Sequence, residues 1–119
     1  MCGFVGAVYN KSYSNEHLLD VISQMLATIE HRGPDSSGIW SNEKQGIALG
    51  HRRLSIIDLS KNGKQPMQSK SKRFVITYNG EVYNFKELRK ELDENNYGPW
   101  RGESDTEIIL AAIEFWGIE

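Results

Sequence analysis

The only cysteine in the 119-residue chain is Cys2, directly behind Met1. A thiol attacks as its thiolate, and free thiols ionise near about pH 8.5, so at neutral pH a nucleophilic cysteine needs a base. No Cys-His motif surrounds Cys2; His17, His31 and His51 are scattered, and His31 and His51 read as satisfied structural imidazoles. Removal of Met1 would supply another base. The freed α-amine, with a pKa of roughly 7.7–8.0, could exchange a proton with the thiol, placing nucleophile and base on one residue. Cysteine is small enough at the second position to permit that removal, and Gly3 frees the adjoining backbone. If Met1 persists, the nitrogen next to Cys2 is an amide without useful basicity, and a catalytically silent protein is expected. By position alone, Cys2 reads rather as an incidental small hydrophobe near a frayed end.

Composition sets the context. A hydrophobic fraction of 39%, a charged fraction of 25% and a mean hydropathy of -0.52 describe an ordinary globular chain, most simply one domain. A net charge of -2 and a pI near 5.9 argue against a nucleic-acid partner. The basic cluster Lys70-Ser71-Lys72-Arg73 reads as a solvated turn. No apolar run approaches the roughly 18 residues of a membrane span, and the N-terminus lacks the order of a secretory signal. A single cysteine fits a reducing compartment, so a cytoplasmic location is expected.

The elements that must position Cys2 can be sketched. Apolar, β-branched and aromatic runs predict strands over 4–10, 47–54 and 74–78, the last running into the turn-forming pair Asn79-Gly80. Ser14 is placed to cap a helix whose buried face is Leu18, Val21, Ile22, Met25, Leu26 and Ile29, closed by Gly33-Pro34. Asn84 with Glu87, and Ser104 with Glu107, read as capping boxes opening two more helices, the second ended by Gly117. Strands first, then hairpin and helices without βαβ alternation, favour an α+β fold.

Six blocks in order, "MCGFVG", "HRGPDSSG", "LGHRRLSIIDLS", "KQPM", "YNGEVYNFKELRKEL" and "ESDTEII", resemble the glutamine amidotransferase domain of N-terminal-nucleophile type. They look most like the glutaminase domain of glutamine-hydrolysing asparagine synthetases and their relatives in surface-polysaccharide clusters. Amidotransferases making amino sugars or purine precursors are a more distant match. The resemblance covers essentially the whole chain and implies an αββα four-layer sandwich of mostly antiparallel sheets. Residues 1–119 would be the N-terminal portion of that domain, either a fragment or a shortened protein. Lys64 and Glu103 stand where relatives often carry histidine.

By that resemblance, Cys2 attacks the side-chain carboxamide of glutamine, ammonia leaves, and water hydrolyses the glutamyl thioester. Asn79, through its NH₂, and Gly80, through its N–H, would form the oxyanion hole; on local grounds the pair is equally a tight turn. Arg53 matches the arginine that binds the α-carboxylate, with Arg52 its less favoured neighbour and a surface ion pair the plain alternative. Leu54 and Ile56 stand where backbone groups contact glutamine. Asp105 and Glu81 would take the α-ammonium, although Asp105 at a helix start is stabilised there without a ligand. "HRGPDSSG" reads as a shaping loop near the nucleophile, with Arg32 hydrogen-bonding there. No cofactor or metal is expected for this step. ATP and Mg belong to a synthetase domain that is absent here, along with its phosphate-binding "SGG" loop. Partners implied are glutamine, that synthetase domain and, through unpaired sheet edges, a second copy of the chain. The reading from another class is a catalytically inactive module that only folds and associates.

Overall fold

In the computed structural model, residues 2–54 and 61–119 are described; Met1 and Ile56 lie outside them. The chain divides into two compact units.

The first unit takes in the described residues up to Leu54, with Lys64–Pro66 and Thr77–Asn79. Its sheet holds β1 (Gly3–Val8), β2 (Ser36–Asn42) and β3 (Ile47–Arg53), all antiparallel with β3 central. Helix α1 (Asn15–Thr28) starts where Ser14 Oγ accepts the His17 N–H at 3.2 Å. Its periodic apolar residues Leu18, Ile22 and Leu26 pack with Ala48 of β3, and each such side chain contributes about 1.5–3 kcal/mol on burial. This close docking needs a glycine in β3. A Cβ on Gly50 would come within 2.7 Å of Ile22 Cγ2 and 2.9 Å of Leu26 Cδ1.

Strand alternation divides the sheet's residues between two faces. Ala48, Gly50 and Arg52 of β3 face α1, so Phe4, Gly38 and His51, which are register partners, face away from it. On that second face, a Cβ at Gly38 would run into the Gln65 carbonyl oxygen. β2 has no counterpart among the sequence expectations. Its sequence, SSGIWSN, is mostly polar and carries the glycine that this close approach requires.

The second unit contains the short turn Lys61–Gly63, Met67–Ile76 and Gly80–Glu119. Strands β4 (Met67–Gln68) and β5 (Val75–Ile76) pair antiparallel, and the Ser69 N–H reaches the Phe74 carbonyl at 2.9 Å across their turn. The basic cluster is this turn, with Lys72 at φ 62 and the four residues Lys70 to Arg73 exposed. Helices α2 (Phe85–Glu94) and α3 (Asp105–Trp116) pack through Leu92, Ile108 and Ala111, with Phe85, Leu88, Tyr97 and Trp100 around them.

Three local expectations are corrected. The strand expected over 74–78 is confined to Val75–Ile76, and Asn79-Gly80 closes no hairpin. The segment after Gly80 is instead tied to α3, because the Val82 N–H donates to Asp105, and it runs straight into α2. Neither capping box closes: Asn84 makes no side-chain cap bond, and Glu107 is occupied by the backbone of residues 101 and 102 while Ser104 alone caps Thr106. Gly117 does end α3, at φ 92. The result is an α+β fold whose antiparallel sheets and helices are consistent with the early part of an αββα sandwich. Among the described residues no helix is long and apolar enough to cross a membrane.

Candidate active site

Cys2 sits one residue before β1, just past the last rung of its ladder with β3, where Gly3 pairs with Arg52. Its half-buried sulfur receives the Leu54 N–H at 3.2 Å and donates to the Leu54 carbonyl at 3.4 Å. The thiol is therefore held from both sides by one backbone residue, and the N–H aimed at it can support negative charge on sulfur. Leu54 was expected to offer its backbone to glutamine; in the structure that backbone addresses the thiol.

The Asn79 side chain arrives at the same place from far along the chain. Its Nδ2 donates to the Cys2 carbonyl oxygen at 3.0 Å. A carboxamide NH₂ has two hydrogens. One is committed to this bond, and the second has no partner among the described residues. Asn79 is exposed, so a ligand can reach it.

The two neighbouring arginines are separated by strand alternation. Arg52 turns toward α1, where its Nε donates to the Leu26 carbonyl at 3.4 Å and its guanidinium lies 3.8 Å from Glu30. Arg53, half-buried, belongs to the other face, with His51. The carbonyl of Arg53 accepts the Asp35 N–H at 3.0 Å, and Pro34 bridges to the same residue. Gly33 is required here because a Cβ would run into the backbone of Arg52 and Arg53. The "HRGPD" loop thus shapes the end of β3 that carries Arg53, and Arg32 lays its aliphatic stem beside Gly3.

In the second unit, Gly80 and Glu81 are exposed. Asp105 is 9% exposed and opens α3, where the helix dipole favours a carboxylate. Its Oδ2 accepts the Val82 N–H at 2.9 Å. The first unit thus collects Cys2, Arg53, Leu54 and Asn79, while Gly80, Glu81 and Asp105 belong to the second. Among the described residues, no three His, Cys, Asp or Glu side chains are grouped to hold a metal.

One residue on the nucleophile's side of the sheet departs from its expected description. His51 is 2% exposed, and its Nε2 finds no partner among the described residues, so it is not the fully satisfied imidazole its sequence suggested. Burial lowers its pKa, a hydrogen bond to the Tyr78 backbone raises it, and the charge of Arg53 lowers it again, for a net shift downward. Nothing in the sequence distinguishes such a histidine from any other on an alternating strand.

Residues 1–119 match the family model described as a glutamine amidotransferase domain. The chain belongs to this family. The amidotransferase domain is 45% identical over 121 residues to asparagine synthetase (glutamine-hydrolyzing) 1 of Bacillus subtilis (strain 168), covering 98% of this chain and 18% of that protein. It is 35% identical to asparagine synthetase (glutamine-hydrolyzing) 1 of Arabidopsis thaliana, over 100% of this chain and 19% of the relative. With "Amidase chry2" of Gibberella zeae it shares 34% over 99% of this chain and 18% of that protein. The chain therefore spans about a fifth of the length of these relatives. The amidotransferase domain is of class II and is homologous to the N-terminal domain of the glutamine-hydrolysing asparagine synthetases.

Proposed function

We propose that the amidotransferase domain hydrolyses glutamine to glutamate and ammonia through a thioester on Cys2, supplying the ammonia for transfer to an acceptor carboxylate. The observation that carries this reading is the arrangement around the thiol: Leu54 holds the sulfur, and Asn79, anchored on the Cys2 carbonyl, keeps one N–H in reserve. In the proposed reaction Met1 has been removed. The α-amine of Cys2 takes the thiol proton, and sulfur bonds to the carboxamide carbon. The oxyanion so formed is met by the spare Asn79 N–H and the Gly80 N–H. The C–N bond breaks as the amine returns the proton to the leaving nitrogen, and ammonia departs. Water, deprotonated by the same amine, then releases glutamate and regenerates the thiol.

Arg53 is the proposed partner of the α-carboxylate, because its guanidinium can form two parallel hydrogen bonds with it. Backbone groups of Leu54 and Ile56 are proposed to border that end, and Asp105 with Glu81 to take the α-ammonium. This step needs no cofactor; ATP and Mg would serve a synthetase domain that activates the acceptor. The test is ammonia release from glutamine by the mature protein and by Cys2→Ala. The reading expects turnover that vanishes with the sulfur. Equal release from both would leave an association module in place of an enzyme.

A further inference from the structure

The block "KQPM" contributes no group to the proposed reaction, yet its glutamine joins the sheet to the segment that carries Asn79. The Gln65 main chain lies against β2, where a Cβ on Gly38 would run into the Gln65 carbonyl oxygen and come within 3.5 Å of Pro66 Cδ. β2 is bonded along its length to β3, and β3 to β1. Gln65 is therefore fixed to the same sheet whose first strand follows Cys2. Its side chain then reaches 13 residues along the chain, and Oε1 accepts the Tyr78 N–H at 2.5 Å. Tyr78 lies beyond β5, which ends at Ile76, so its N–H has no ladder to enter and a side-chain acceptor stands in for one.

Asn79 needs this support. It is exposed and lies in no strand, and its side chain meets the Cys2 carbonyl at 3.0 Å where water can compete. Consecutive Cα atoms are about 3.8 Å apart, so a held Tyr78 nitrogen confines the backbone from which the Asn79 side chain departs. The two bonds act at successive residues: Gln65 holds the main chain, and the Cys2 carbonyl orients the amide. We infer that Gln65 is a positioning residue for glutamine hydrolysis, holding the Tyr78 N–H through Oε1 so that the Asn79 amide stays bonded to the Cys2 carbonyl and faces the oxyanion. It touches neither substrate nor sulfur in this role, and the inference rests on the glutaminase reading of Cys2 and Asn79.

Acceptor chemistry supplies the test. Gln65→Glu keeps an acceptor oxygen at the same length, Gln65→Met keeps the length without a comparable acceptor, and Gln65→Asn keeps the amide one methylene short. The full-chain variants are compared with wild type for glutamine kcat and KM, for melting temperature, and for the ¹H–¹⁵N signal of the Asn79 side chain. Misplacement of a catalytic group by about 1 Å can cost on the order of 100-fold in rate. A donor that serves charge developing in the transition state affects kcat and leaves KM alone. The expected result is a kcat loss of about 10–100-fold in Gln65→Met and Gln65→Asn with KM unchanged, and recovery of most of it in Gln65→Glu. The Asn79 signal moves in the first two variants and stays in the third. A Gln65→Met protein that melts lower but keeps full kcat, or a Gln65→Glu protein no faster than Gln65→Met, overturns the inference. If methionine prevents folding, Gln65→Asn against Gln65→Glu still decides. If wild type turns over no glutamine, the glutaminase reading fails by itself, and the Asn79 signal alone decides whether Gln65 positions that residue.

Discussion

Polar groups are used differently in the two units. In the second, the carboxylates of Glu107 and Glu114 are each filled with donors. Glu107, its side chain 5% exposed, accepts the N–H groups of Arg101 and Gly102 at 2.8 and 3.0 Å and also the Arg101 guanidinium at 3.4 Å. Glu114 accepts the Ser71 N–H at 3.0 Å and the hydroxyls of Ser71 and Tyr97. These carboxylates close the β4–β5 turn and the approach to α3, and they have a structural role. In the first unit, among the described residues, Asn79 uses one of its two amide hydrogens and His51 buries a nitrogen without a partner. A filled network stabilises a fold; unused hydrogen-bonding capacity beside a nucleophile is what a reaction can draw on.

The contrast can be broken from either side. The largest effect is expected from Asn79→Ala, which removes the proposed oxyanion donor: glutamine turnover should fall by about 100- to 1000-fold while the melting temperature stays close to wild type, since the side chain is exposed. A loss of stability as large as the loss of rate would make Asn79 another structural amide. Glu114→Gln should do the reverse. Burial alone would raise the Glu114 pKa, but hydrogen bonds from Ser71 and Tyr97 prevail and hold it at about 2, against an ordinary 4.5. A depressed carboxylate contributes stability that is complete above its unfolded value and is lost as pH falls through its folded one. Wild-type stability should therefore decline between about pH 4.5 and 2, and Glu114→Gln should flatten that decline without changing turnover at neutral pH. The effect is small because the group is half exposed and screened. Denaturant titrations across that range measure it.

How much of this could be read from the sequence differs by region for physical reasons. Helix α1 was legible because an apolar period and the Ser14 cap agree. Strands β1 and β3 were legible because their residues are β-branched and aromatic, or close-packed against α1. β2 was not, since its polar residues and Gly38 answer to the Gln65 backbone and not to a core of their own. Asn79-Gly80 carries the local signal of a hairpin, and only the long-range bond from Val82 to Asp105 shows where the chain goes instead. Cys2 and Arg53 are singled out by residue type and by resemblance, whereas the separation of Arg53 from Arg52 depends on which face meets α1. The unpartnered Nε2 of buried His51 was opaque because residue type does not encode which ring nitrogen finds a partner.

The central claim is that Cys2, as the first residue of the mature chain, is both nucleophile and base. It is tested most directly by intact-mass and peptide-mapping mass spectrometry after treatment with an electrophilic glutamine analogue. The account predicts a chain lacking Met1 with a single adduct on the Cys2 sulfur. A fully active protein that still carries Met1, or an adduct on any other residue, would contradict it.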